Sequence, residues 1–325
     1  MFFLPTIVFA LNLHTVFTTY DKSIDSKIRK EINSNTAEIM KNIITHNATA
    51  LKKLLSHEGF KTLDQSQIEK IITTLKPIMQ KYKFEVFREY YSVVKKIGTG
   101  NHFAILPENE TDFIVNSAYI PGNTYLQFLI SLNDGIQYLL YLQYIFEDEE
   151  WKLYALNIKD YAYQHQPTPD LLNKANELFL KNENLSAAIY ALAANRLLRP
   201  ADNLQYPKEK EYIDSIKNII AKFNSVYKFP IPLKSCNQSS LYSIDYIVTK
   251  DGIIPLIKYI TATNLKNVSD LKKEANKIND EINQLFPDME KNFQYLVLQA
   301  YNKKPSDPKK QYNSYNHVFK NGKPI

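Results

Sequence analysis

Glycine is scarce in this chain: seven of 325 residues, roughly a third of ordinary usage. They are Gly59, Gly98, Gly100, Gly122, Gly135, Gly252 and Gly322. Loops that cradle phosphates are built from glycine, so the spacing of these seven excludes whole activities. Gly98 and Gly100 make a single G-x-G with no third glycine after it, and a dinucleotide fingerprint needs all three. The sequence contains neither a P-loop nor a G-x-S-x-G nucleophile elbow. Cysteine is scarcer still. Cys236 stands alone, which excludes intrachain disulfides, C-x-x-C redox chemistry and multi-cysteine metal sites. It lies in a polar stretch, Lys234-Ser-Cys-Asn-Gln-Ser, and reads as an incidental thiol. None of the six histidines forms H-x-x-x-H or H-E-x-x-H. His46 and His57 are eleven residues apart, roughly 16 Å at helical rise, too far to share an ion. No metal, no catalytic residue and no cofactor is expected.

What is present begins with an uncharged stretch, residues 1–20, followed at once by Asp21-Lys22. Such a start predicts an export signal, and hence a periplasmic, cell-envelope or secreted protein. An uncleaved membrane anchor and a buried strand or helix are the alternatives.

Three-to-four spacing of Ile28, Ile32, Ile39, Ile43, Leu51 and Leu54 predicts helix from Ile24 to Ser56. Asp64 then caps a second helix with the stripe Ile68, Ile71, Ile72, Leu75 and Met79. Phe84 to Val94 reads equally as strand or helix. From Asp112 the period is two. A strand to Tyr119 is closed by Pro121-Gly122, and long runs Tyr125–Asn133 and Ile136–Glu147 flank Asp134-Gly135, a hairpin signal. A third run spans Trp151 to Ala162. The implied register sets Tyr125 opposite Tyr144, Leu129 opposite Leu140 and Ser131 opposite Tyr138. Both faces of this sheet are apolar, so alternation does not say which one faces a pocket.

Amino-terminal helices followed by a long meander ending in Trp151-Lys-Leu-Tyr-Ala-Leu-Asn-Ile resemble the nuclear-transport-factor-like α+β cone, over residues 24–164. The resemblance implies an apolar pocket between sheet and helices, with Phe128, Tyr138, Tyr141, Tyr144, Trp151 and Tyr154 as its binding residues. It assigns no catalytic residue.

Pro167-Thr-Pro169 closes this domain, taken as 24–166. Asp170 caps a helix from Leu171 to Leu180, and a second runs from Leu185 to Leu198. Leu172, Phe179, Ala188 and Pro200 at their spacing resemble one tetratricopeptide repeat over 170–200. Residues 209–224 supply a third helix, completing a helical layer at 168–228. Two strands around Asp251-Gly252, a helix Leu271–Phe286 capped by Ser269 or Asp270, and a strand Phe293–Tyr301 form a ββαβ domain at 233–305. Pro255 predicts an edge position for its strand. Residues 306–325 read as a basic, aromatic tail. The fold class expected is therefore α+β: helices on a long antiparallel meander, a helical hairpin layer, and a smaller ββαβ domain.

The segment 301–325 carries six lysines against one aspartate, net +5 of the chain's +6. The body is nearly neutral, so no nucleic-acid partner is expected, and a membrane is met only through residues 1–20. The function expected is a non-catalytic binding protein for an apolar small molecule or a protein partner. The alternatives are a pocket enzyme of the isomerase or dehydratase type and a structural assembly subunit using the helical layer. The enzyme would draw on His102, Asp134, Asp160 or His165 for proton transfer.

Overall fold

A computed structural model describes residues 15–94, 102–105, 113–118, 120–307 and 310–325. The chain is mixed α+β and divides into two units, the first of residues 1–133, 138–160 and 199–207, the second of the rest.

Unit 1 opens with strand β1 (Thr15–Tyr20), paired antiparallel to β2 (Phe84–Val94). The last six residues of the uncharged 1–20 stretch are thus part of a sheet, and 1–14 lie outside the described residues. Among the described residues no helix is long and apolar enough to cross a membrane. Between these strands run α1 (Ser26–Ile44), α2 (Ala48–Leu54), α3 (His57–Phe60) and α4 (Gln65–Lys81). The predicted helix through Ser56 is broken. His46 takes a left-handed φ of 58°, and the Asn47 side chain accepts the Ala50 N–H at 3.0 Å, starting α2 afresh. Asp64 caps α4 as its position predicts, in a reciprocal capping box with Gln67.

The unit continues through β3 (His102–Ile105), β4 (Ile114–Ala118), β5 (Gly122–Ser131), β6 (Ile136–Glu147), β7 (Glu150–Tyr163) and β8 (Leu204–Gln205). One sheet has the order β1-β2-β5-β6-β7 and a small one the order β3-β4-β8. Phe84–Val94 is therefore strand. Tyr125 pairs with Tyr144 and Leu129 with Leu140, the register expected. The connection is wider than a two-residue turn. β5 ends at Ser131, whose Oγ accepts the Tyr138 N–H at 2.8 Å, and Gly135 has no positive φ. The tight turn lies between β6 and β7, where Asp148 and Glu149 both adopt positive φ.

The helices cover one sheet face. Tyr125, Leu129, Leu140, Leu142, Tyr144, Trp151 and Leu153 pack there with Ile32, Ile39, Ile43, Ile68 and Ile72. The opposite face, with Leu126, Phe128, Leu139, Tyr141 and Ile145, is buried as well.

Unit 2 holds α5 (Thr168–Leu180), α6 (Asn184–Arg196) and α7 (Glu209–Val226). Pro167 occupies the N-cap of α5, and Asp170, the expected cap, lies in its first turn. β9 (Ile231–Pro232), β10 (Ser240–Thr249), β11 (Gly252–Ile260), α8 (Val268–Leu285), α9 (Met289–Asn292), β12 (Tyr295–Tyr301), β13 (Tyr315–Lys320) and β14 (Lys323–Pro324) follow. The strands form one sheet, β14-β13-β12-β11-β10-β9. β11 and β12 are parallel and α8 lies between them in sequence, the βαβ connection that parallel strands require. Asn267, not Ser269 or Asp270, caps α8 by accepting the Asp270 N–H.

Three expectations change in this unit. The helical layer and the ββαβ strands share one hydrophobic core, from Leu171 and Ala191 to Ile257, Ile278 and Leu298. The basic segment is not a tail: Tyr315–Lys320 pairs with β12, and Phe319 is fully buried. Pro255 is not on an edge strand, because β11 has neighbours on both sides. Pairing with β12 starts only at Leu256, so Pro255 sits just before that ladder begins.

Candidate functional site

The six residues expected to line a cone pocket are divided by the two faces of the sheet. Phe128 and Tyr141 pack on each other with centroids 5.2 Å apart, on the face away from the helices. Tyr144 and Trp151 lie in the core beneath the helices. Trp151 meets Tyr125 and Tyr91 edge-on, 6.2 and 6.3 Å away. Tyr138 is half-buried with its ring 5.6 Å from Tyr82, and Tyr154 is half-buried on β7. These aromatics fill space; they do not share a pocket.

The nominal proton-transfer residues fare no better. Asp134 and His165 face each other at 3.6 Å, both exposed. Asp160 is half-exposed on β7. The backbone of His102 is in β3.

An open cavity does exist in unit 1, elsewhere. It has a volume of 410 Å³ and lies among α1, the α2–α3 segment, α4 and β7. Its apolar lining comes from Ile43, Leu51, Leu55, Phe60, Ile68, Ile71, Leu75, Leu153, Leu156 and Ile158, and its polar lining from Lys70, Thr74, Asn157 and Lys159. None of the six expected residues is in it. The volume falls at the lower end of the range of small-molecule sites, about 300–1,000 Å³.

Local chemistry explains why a gap forms here. The break at His46–Asn47 and the second break at Leu55–Ser56 cut the helical cover into short pieces. The Leu55–Ser56 junction is held to the edge strand instead. Ser56 N–H donates to Leu153 O at 2.8 Å, and Ser56 Oγ accepts the Gly59 N–H at 2.9 Å. Gly59 is required for this approach, since a Cβ there would sit 2.2 Å from Tyr154 O. α3 is thereby pinned against β7, and Phe60 at its end becomes part of the cavity wall.

Beside the cavity the same helix–sheet layer carries a closed polar row. Glu89 on β2 is 1% exposed and pairs with Arg29 Nε of α1 at 2.9 Å. Gln127 Nε2 donates to Glu89 Oε1 at 3.0 Å and to Asn33 Oδ1 at 2.7 Å. Thr36 Oγ1 donates to Gln127 Oε1 at 2.6 Å. Its single proton is then used, so the Tyr144 hydroxyl, 2.7 Å away, donates to it. Burial pushes the Tyr144 phenol well above its ordinary range. Burial, and then the neighbouring Glu89 carboxylate, does the same to Tyr125. Both phenols therefore stay protonated. The row ties α1 to three strands, and its members spend their donors and acceptors on one another.

Unit 2 has a polar cleft of 530 Å³ beside α8, lined in part by Lys234, Cys236, Lys273, Glu274 and Lys277. The buried Glu274 is satisfied there by the hydroxyls of Ser239 and Thr261, at 2.7 and 2.8 Å. Burial raises the pKa of the Cys236 thiol, which works against a nucleophilic role. Among the described residues no group of His, Cys, Asp and Glu could hold a metal ion.

Comparison of the chain with family models, with curated proteins and with solved structures finds no match in any of the three. No family therefore stands behind this chain, and function must be argued from the site.

Proposed function

We propose that the chain is a non-catalytic binding protein whose first unit takes an apolar small molecule into the cavity beside β7. The observation that carries this reading is the lining: ten apolar side chains drawn from the helical cover and the sheet edge. Transfer of apolar surface from water into such a site is favourable by about 25 cal/mol per Å². The lining contains no Asp, Glu, His or Tyr, so a proton moved within it would have only the lysine amines to meet. That weighs against the isomerase or dehydratase alternative.

Export completes the proposal. What supports it is the uncharged stretch of residues 1–20, of which the last six also form β1.

The test uses decanol, an uncharged probe, titrated calorimetrically into the full chain and into Ile71→Trp. Ile71 lines the cavity and is half-buried, so the indole fills the space without adding charge. The expected result is saturable binding by the native chain and loss of at least tenfold in affinity in the variant. Equal binding by both would place the probe elsewhere and sink the reading.

A further inference from the structure

We infer that the occupant of this cavity is a single-chain amphiphile with an anionic head, of the long-chain carboxylate class. The inference rests on the ligand-binding reading above and adds the charge of the ligand.

The charged groups of the lining are both cations, Lys70 from α4 and Lys159 from β7, and no acid accompanies them. The ten apolar residues suit a hydrocarbon chain, and the two amines suit a negative group at the end of it. Lys70 makes no ion pair among the described residues and is exposed. Among the described residues Lys159 is paired with Asp202 alone, at 2.5 Å, but Asp202 is 85% exposed and Lys159 is 39% exposed. An ion pair this open to water is weak and readily exchanged, so a ligand carboxylate can compete for the Lys159 amine. Asn157, two residues before Lys159 on the same strand, lines the cavity with no hydrogen bond to its amide among the described residues. It is a third donor for the head group. Thr74 is not, because its hydroxyl already donates to Lys70 O at 2.9 Å. The 410 Å³ volume, near the bottom of the usual range, favours one chain over the two of a membrane phospholipid.

The experiment compares decanoate, decanol and decylammonium by calorimetry on the full chain at pH 8. Decanoate is expected to bind about fivefold more tightly than decanol, as one solvent-accessible ion pair allows, and decylammonium more weakly than either. In the double variant Lys70→Gln with Lys159→Gln, the preference disappears: the ratio of decanoate to decanol affinity falls from about five to about one. If decanol binds and decanoate binds no better, the anionic head is refuted and the apolar cavity stands. If neither binds, the proposed function itself fails. A decanoate preference that survives the double variant overturns the assignment to these two lysines. Flotation with phosphatidylglycerol vesicles supplies the last arm. Capture by vesicles that decanoate does not displace would identify a membrane surface as the source of the anion and overturn the free amphiphile.

Discussion

The helices facing the sheet in unit 1 are interrupted at His46–Asn47 and at Leu55–Ser56, and a cavity of 410 Å³ is left beside β7. Unit 2 packs helices on a sheet as well, but its central helix α6 is alanine-rich. Ala187, Ala188, Ala191, Ala193 and Ala194 are all buried, so the helix is apolar around its circumference, as an enclosed helix must be. Small side chains let neighbouring backbones approach closely, and Tyr190 of α6 stacks on Phe293 at 5.7 Å. Unit 2 has a polar cleft of 530 Å³ beside α8, lined by side chains unlike those of the unit 1 cavity. The unit 1 cavity therefore follows from how the helical cover is cut, not from how apolar the chain is.

Adding volume on each side breaks or sharpens that contrast most directly. Ala194 is 0% exposed. Ala194→Leu in unit 2 is expected to cost about 3 kcal/mol, because extra methyl groups in a full core force off-rotamer side chains and backbone shifts. Ile71→Trp in unit 1 adds more atoms and is expected to stay within about 1 kcal/mol of the native chain, since it enters open space. Urea unfolding of the two full-length variants measures both. A costly Ile71→Trp beside a neutral Ala194→Leu would invert the comparison.

The next effect concerns buried charge. Glu89 in unit 1 is buried and matched by Arg29. Arg29→Ala strips that partner, and the lost charge-assisted hydrogen bond is expected to cost about 2 kcal/mol. Adding Glu89→Gln to the same chain removes the stranded charge and should restore part of the loss. If single and double variants unfold at the same urea concentration, the buried charge is not what the guanidinium stabilises.

Much of this scaffold was legible in the amino acids. The pairing of Tyr125 with Tyr144 followed from centring the hairpin on Asp134-Gly135, and it survives although the connection is wider than two residues. The cap at Asp64 followed from residue type and position, while its reciprocal partner Gln67 was not foreseen. The helix break was written in Asn47, an N-cap residue placed just before Ala48, yet the continuing isoleucine stripe hid it. Pro255 misled because register, not strand position, decides whether a missing N–H is felt. The cavity was the least legible feature. Ile43, Leu51, Phe60, Ile71 and Leu156 come from separate elements, and a gap is a property of how they meet. With both sheet faces apolar, the aromatics Phe128, Tyr141, Tyr144 and Trp151 could equally have been pocket or filling. Burial on both faces made them filling.

The smallest effect expected is a pH dependence, and it sets unit 2 against the matched charge of unit 1. His317 on β13 is 7% exposed, and its Nε2 has no hydrogen-bond partner among the described residues. Its ring lies between Tyr315 and Phe319, with centroids 6.4 and 4.7 Å away. Burial, and secondarily the positive charge of Lys272, lowers its pKa below the ordinary 6.5. Above that pH the imidazole is neutral in both the folded and the unfolded chain, and it adds no slope. As the pH falls through 6.5, the unfolded chain takes up the proton first, so stability declines until the folded-state pKa is reached. His317→Phe removes the titration and keeps an aromatic ring in the site. Its urea midpoint should therefore fall less than that of the native chain between about pH 7 and pH 5, while carboxylates common to both chains cancel in the difference. Parallel midpoint curves would mean that the ring reaches water and takes its proton in the folded state. Unit 2 would then be no more tightly closed at β13 than unit 1 is at β7.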